Sequence, residues 1–350
     1  MQEPVRFDET LGQVSRTGTW DELAVGTYQA IEDAVNAQQW TAAAALIRVT
    51  PEEAVELRNL FLAWPREIVD WIGEHGIDSE ELARVRGRLS SKLVTEHGAL
   101  PDVDVEWAAY LALTEEAAAA CGAGDREDVL KRTALARSLW QRIHDYGVDL
   151  IYGLLDCAAQ LCGEQVLGDV WNHLMRDWYD DHARRFDAAN QPWDATIDQL
   201  KTAIVHGFHG HLSGVDRRGG MTYLQEEDRT GFRFDPCGSG GRMLRDDVTD
   251  GRPRPAEPLE FTVTTEPHDW AWNKVGVQAY CVHCCLLNVV MPIDRLGHPT
   301  RVIEPPTWPD ARTGGMCTWW VYEDPSLVPD AVYEQVGRRR QGQGQGQGEA

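Results

Sequence analysis

Basic residues are scarce in this sequence. Its 33 Lys and Arg stand against 56 Asp and Glu, a formal charge of −23. That balance excludes the basic footprint by which proteins grip nucleic acid or an anionic membrane surface. Long apolar runs are missing as well: no stretch of 18 uninterrupted apolar residues occurs, so no bilayer-spanning helix is expected. The opening run, Met1 to Trp20, lacks the apolar centre of a secretory signal, and a cytoplasmic location is the expectation. There is no Gly-x-Ser-x-Gly, His-Glu-x-x-His, kinase, P-loop or dinucleotide signature, and no repeat of fixed period. No ready-made motif names a reaction.

What is present is a large globular chain. Its 350 residues exceed the usual size of one hydrophobic core, and 43% of them are apolar. Fourteen tryptophans require a deep core or an apolar cleft. The predicted fold class is α+β: an all-helical part, 1–205, followed by a smaller mixed part, 206–335, with a short antiparallel sheet. Helical patterning runs from about 20 to 205. Trp40 to Val49 forms one segment, and Thr50-Pro51-Glu52-Glu53 reads as the capped start of another, with Pro65 kinking or dividing it. Arg126 to Tyr146 and Val148 to Leu161 read as two further helices. Beyond His206 glycine, proline and β-branched residues rise, and strand-like runs appear at Phe232–Phe234, Leu259–Thr264 and Cys317–Tyr322. Between the last two, Ala279 to Val290 reads as a buried helix. Residues 336–350, three arginines and a Gln-Gly repeat, read as a disordered tail.

Eight cysteines without a secretory signal read as buried thiols, reactive thiols or metal ligands before disulfides. Cys281-Val-His-Cys284 can grip one ion from a single helical turn, which is half of a structural zinc site. Cys237 and Cys317 are the natural partners, so that Cys237, Cys281, Cys284 and Cys317 would tie three segments to one zinc. The alternatives are inert buried thiols and a catalytic Cys281 whose thiolate a helix N-terminus favours. His206-Gly-Phe-His209-Gly-His211 places three imidazoles in six residues, candidates for a metal or for a general base, with Gly210 turning His211 inward. The bland reading is a helix-capping histidine with solvated neighbours. Gly238-Ser239-Gly240-Gly241-Arg242 can present backbone N–H groups to an anion, with Arg242 forking onto a carboxylate; equally, it is a tight turn that brings Cys237 to its partners. His268-Asp-Trp270-Ala-Trp272 offers apolar cleft walls.

Three strings together carry a resemblance: Phe232-Arg-Phe-Asp-Pro-Cys-Gly-Ser-Gly-Gly-Arg242, Tyr280-Cys-Val-His-Cys-Cys285, and Met316-Cys-Thr-Trp-Trp-Val-Tyr-Glu-Asp-Pro325. They resemble a group of uncharacterised bacterial proteins and, more distantly, the L-2-amino-thiazoline-4-carboxylic acid hydrolase family. Cys237, Cys281 and Gly314-Gly-Met-Cys317 follow that family's order. No aspartate follows Cys281 closely and Trp319 stands where Phe is frequent, so the substrate does not carry over. The closing strand is also similar to the 4-vinyl reductase domain, which implies ligand binding without catalysis.

The combined expectation is a small-molecule hydrolase or related C–N or C–S bond-cleaving enzyme built on thiolate-held zinc. His209, His211 and Cys281 would be its catalytic groups. Arg242, Gly238, Ser239 and Gly240 would hold a substrate carboxylate, and Trp270 and Trp272 would wall the site. Its rivals are a non-catalytic ligand-binding protein or scaffold with structural zinc and a thiol-based redox protein. Neither nucleic acid nor membrane is an expected partner, and a homo-oligomer is left open.

Overall fold

Aspartates set the starts of three of the long helices. Asp78, Asp102 and Asp125 each accept a hydrogen bond from a first-turn backbone N–H, opening α4 (Ser79–His97), α5 (Val103–Cys121) and α6 (Arg126–Cys162). A Thr19–Glu22 capping box opens α1 (Trp20–Ala24), which leads into α2 (Thr27–Asn36) and α3 (Trp40–Glu74). After α6 come α7 (Leu167–Leu174), α8 (Arg176–Phe186) and α9 (Trp193–Gly210). This computed structural model describes residues 3–9, 11–187, 191–245 and 263–340, and it is 64% helical.

Two expected breaks are absent, each for a physical reason. Thr50 caps nothing; α3 runs 35 residues straight through Pro51 and Pro65. Proline at 51 has no N–H for the carbonyl of Ile47, and the Thr50 hydroxyl donates to that oxygen instead, at 2.9 Å. Gly147 does not divide α6 either. It is the point where α6 presses on α3, since a methyl group there would lie 2.3 Å from the Phe61 ring. The sequence reading also missed an N-terminal hairpin, β1 (Val5–Asp8) with β2 (Gln13–Arg16), paired Val5 to Arg16.

The second part builds a four-stranded antiparallel sheet from β3 (Thr222–Gln225), β4 (Arg229–Phe234), β5 (Val302–Glu304) and β6 (Cys317–Tyr322), in the order β3-β4-β6-β5. Phe232 faces Trp319 and Phe234 faces Cys317 across the central pair. Side chains alternate along a strand, so Cys317 and Trp319 share one face. That face packs on α9, where Phe208 stacks on Phe234 at 3.7 Å and meets Trp319 edge-on at 5.0 Å. After the short α10 (Gly240–Leu244) comes α11 (Ala279–Leu296), the buried helix expected at 279–290 but longer. It opens with a 3₁₀ turn, widens into a π-helical turn at Leu286–Val290, and ends on the left-handed Gly297. A last helix is α12 (Asp330–Glu334).

By length and composition α11 could cross a bilayer, but 67% of it is buried inside the fold. Trp171 fixes it to the helical part: the indole N–H donates to the Ala279 carbonyl at 2.8 Å, and the ring meets Tyr280 and His283. One hydrophobic core runs through both parts. The strand expected at Leu259–Thr264 lies outside the described residues except Val263, which bridges Gln278, and Thr264. Of the expected tail, 341–350 lie outside them too. Residues 336–340 are ordered, with Val336 buried and Arg338 paired to Asp294 and Asp269.

The Gly147 contact makes a stability prediction. Gly147→Ala should cost about 1–3 kcal/mol through overpacking, whereas Gly87→Ala, in a helix with open space around it, should gain about 0.5–1 kcal/mol. Urea unfolding of the two variants checks the opposite signs.

Candidate functional site

A cavity of about 440 Å³ opens between α3, α8, α9, α11 and the inner face of β6. Cys237, Cys281, Cys284 and Cys317 all line it, together with His211 and His283. Each arrives by a different local rule. Cys237 follows β4 in the turn beneath it. Cys281 and Cys284 stand three apart on α11, hence on one face, whereas Cys285 points the other way, its thiol toward the Asp269 carbonyl. Cys317 opens β6 on the inward face. Burial, and then the neighbouring thiols, push Cys281, Cys284 and Cys317 well above the ordinary thiol value. Every one of the six pairings within the tetrad is felt electrostatically. Cys281, Cys284 and Cys317 are thus held as neutral thiols.

The glycine loop is packed against sulfur and backbone. A methyl on Gly238 would sit 1.6 Å from the His211 carbonyl oxygen, and one on Gly240 would sit 2.4 Å from the Cys281 sulfur. The Gly241 N–H donates to the Cys237 sulfur at 3.0 Å. The loop is thus the turn that brings Cys237 to its partners. Of its anion-binding candidates, only Ser239 reaches the cavity, and its hydroxyl lies 3.9 Å from the Cys237 sulfur.

Two imidazoles have their tautomers set by what they touch. Asp145 forms a two-pronged ion pair with Arg217, at 2.6 and 3.1 Å. Burial would raise its carboxyl, but Arg217 and Arg242 hold it well below the usual range. His144 Nδ1 lies 2.9 Å from Asp145, and a carboxylate only accepts, so Nδ1 carries the proton. Neutral His144 then accepts at Nε2 from His211 Nδ1, at 3.0 Å. His211 is left with a bare Nε2 and lines the cavity. Burial, with His144, His283 and Arg217 nearby, holds it well below the ordinary histidine value. His283 is oriented likewise. Its Nδ1 donates to the Tyr280 carbonyl, and its Nε2 lies 3.4 Å from the Cys284 sulfur. Burial lowers it to about 4.

Several expected site residues lie elsewhere. His209 serves no base role at this cavity: Glu53 and Thr27 occupy its Nδ1 at 2.9 and 3.1 Å, and the Leu23 carbonyl takes its Nε2 at 2.8 Å. It borders a separate cavity of about 280 Å³, with Arg16 and Glu53, and His206 stands between the two. Gly210 does not swivel His211 inward; its bareness lets α9 touch the α3 backbone at the Glu53 carbonyl. Arg242 cannot fork onto a substrate, because it is buried against Asp149 and Asp145. Gly238 and Gly240 meet protein atoms, not the cavity. Trp270 stacks on His268 at 4.1 Å outside it, whereas Trp272 lines it. The sequence reading overlooked His283 and Arg301, both in the cavity wall. His283 was visible inside the Cys-Val-His-Cys string, but Arg301 carried no local signal.

Chemically, four thiols and two imidazoles are a donor set suited to zinc. Their spacing is not. Among the described residues no three His, Cys, Asp or Glu side chains are gathered closely enough to hold a metal ion. The four cysteines expected to hold zinc share the cavity without forming such a group among the described residues. Against family models, curated proteins and solved structures, the chain has no match.

Burial chiefly lowers six imidazoles below 6.5: His144, His182, His206, His211, His283 and His298. Unfolding restores the ordinary value, so below about pH 6.5 the unfolded chain binds protons that the folded chain refuses. Stability should hold above that pH and fall beneath it toward pH 4, by up to about 1.4 kcal/mol per pH unit for each imidazole. Urea midpoints at pH 7.5 and pH 5 check this; equal midpoints would contradict buried neutral imidazoles.

Proposed function

We propose that the protein is an enzyme that hydrolyses, or otherwise cleaves at a C–N or C–S bond, a small molecule held in the thiol-lined cavity, with His211 as general base. The observation that carries this reading is the chain Arg217–Asp145–His144–His211, which ends in a bare ring nitrogen at the cavity wall. A structural core rarely spends two buried imidazoles and an ion pair on orienting one nitrogen.

In the proposed reaction a water molecule gives its proton to His211 Nε2 as its oxygen attacks the electrophilic carbon. The C–N or C–S bond then breaks, and the departing nitrogen or sulfur takes the proton back. Burial keeps His211 neutral before reaction, so its lone pair is available at neutral pH. The charge that forms on it is met through His144 by the Asp145 carboxylate, which the two arginines keep ionised. The apolar rings around the cavity limit competing water.

A binding protein without catalysis is the second reading. It is favoured by the Cys284–His283 pair, whose members burial holds neutral, so that no reactive thiolate stands ready.

Both readings meet one experiment. The purified chain is incubated with a panel of small amides, thioesters and thiazolines, with products read by mass spectrometry. At least one should be consumed. His211→Gln should lower its kcat/KM by about 10²–10⁴-fold and Asp145→Asn by about 10–100-fold, both with native circular dichroism. Binding without turnover across the panel supports the second reading, and turnover indifferent to H211Q removes His211 from the chemistry.

A further inference from the structure

Arg301 is the exception among the buried arginines. Arg242 is neutralised by Asp149 and Asp145, and Arg245 by Asp235. Arg301, 6% exposed, pairs with no carboxylate among the described residues. Its Nη1 donates to the Asn288 side chain at 2.7 Å and its Nη2 to the Leu200 carbonyl at 3.2 Å, while Nε has no acceptor among the described residues. A guanidinium keeps its charge, and burying one without a counter-ion is costly. The protein nevertheless holds it rigidly. Its guanidinium carbon lies 5.4 Å from the Phe186 ring and 5.8 Å from the Trp319 ring. Asn288 sits in the π-helical turn of α11, anchored by its own N–H to the Cys284 carbonyl at 2.9 Å. Arg301, Asn288, Phe186 and Trp319 all line the thiol cavity.

The other walls say what accompanies the charge. Trp64, Trp178, Phe208 and Leu60 bring aromatic and aliphatic surface to the same cavity. A second buried donor, Nε1 of Trp272, also lines it without an acceptor among the described residues. The acidic groups in the lining are Glu56, which is exposed, and Asp181, which is paired with Arg185 at 2.6 Å.

We infer that Arg301 is the specificity-determining anion anchor of this cavity and that the natural ligand is a monoanion with an apolar body, its carboxylate at Arg301 and its body among the aromatic walls. The assignment rests on the cavity being the functional site, and it moves the anion-binding role from Arg242 to a residue with charge to spare. One guanidinium, with two of its five N–H groups taken by Asn288 and Leu200 and Nε without an acceptor among the described residues, suits a single negative charge. A charge-assisted hydrogen bond to a buried guanidinium among aromatic walls should give the acid a preference over its neutral isostere of at least about tenfold.

The test is calorimetric titration of the full chain with hexanoate, benzoate, phenylacetate and indole-3-acetate, each beside its primary amide. At least one acid should bind tenfold or more tighter than its amide. Arg301→Gln should erase that preference, and Arg301→Lys, which keeps the charge but loses the fork, should reduce it at least threefold. If R301Q does not fold, R301K decides alone. Equal binding of every acid and amide, binding of none, or a preference that survives these substitutions would overturn the assignment. Turnover that depends on His211 without any acid preference would remove only the Arg301 assignment. Acid preference without turnover would remove only the enzymatic reading.

Discussion

The arrangement hangs on a buried ionic knot. Asp145 and Asp149, one turn apart on α6, are held by Arg217 from the segment after α9 and by Arg242 from α10, with His97 of α4 closing on Asp149 at 3.0 Å. Removing one member of such a knot strands a charge, which typically costs about 3–5 kcal/mol. The knot therefore fixes two things at once. It locks the glycine loop, and with it Cys237, against the helical part. It also sets the tautomer of His144, and through it the free nitrogen of His211. Packing and chemistry share the same four charged groups.

That economy explains why Arg242 misleads a reader of the sequence. An arginine after a glycine run suggests an anion grip, and only the fold reveals that two aspartates more than 90 positions earlier already hold it. The converse holds for Arg301, which stands in an unremarkable Thr-Arg-Val string. Its meaning lies in having no carboxylate partner among the described residues, which a linear pattern cannot display.

Much of the architecture was legible because it is local. The helical patterning over about 20–205, the strand-like runs at Phe232–Phe234 and Cys317–Tyr322 and the apolar stretch at 279–290 each depend on neighbours within a few positions, and each appears in the structure. The meeting of Cys237, Cys281, Cys284 and Cys317 at one cavity was legible for a different reason: sulfur is rare enough that distant copies attract notice. The errors at Pro51 and Gly147 share a cause. Both residues usually end helices, and both were overruled by a tertiary or side-chain contact, a hydroxyl in one case and a phenyl ring in the other. The histidine triplet was half legible. Proximity in sequence flagged it, but the three rings part company: His209 borders the second cavity, His206 stands between the two, and His211, bonded to a partner 67 positions away, lines the thiol cavity.

The widened turn at Leu286–Val290 has a consequence for how this fold tolerates change. A π-helical turn holds one residue more than a regular α-turn, so it takes up that residue within a single turn. A residue advances a regular helix by about 100°, and the wider turn spreads about the same rotation over one residue more. The Cys281–Cys284 face therefore keeps its angle to the end of α11 that packs on α8, and losing one residue from Leu286–Val290 would narrow the turn without swinging the thiol wall away.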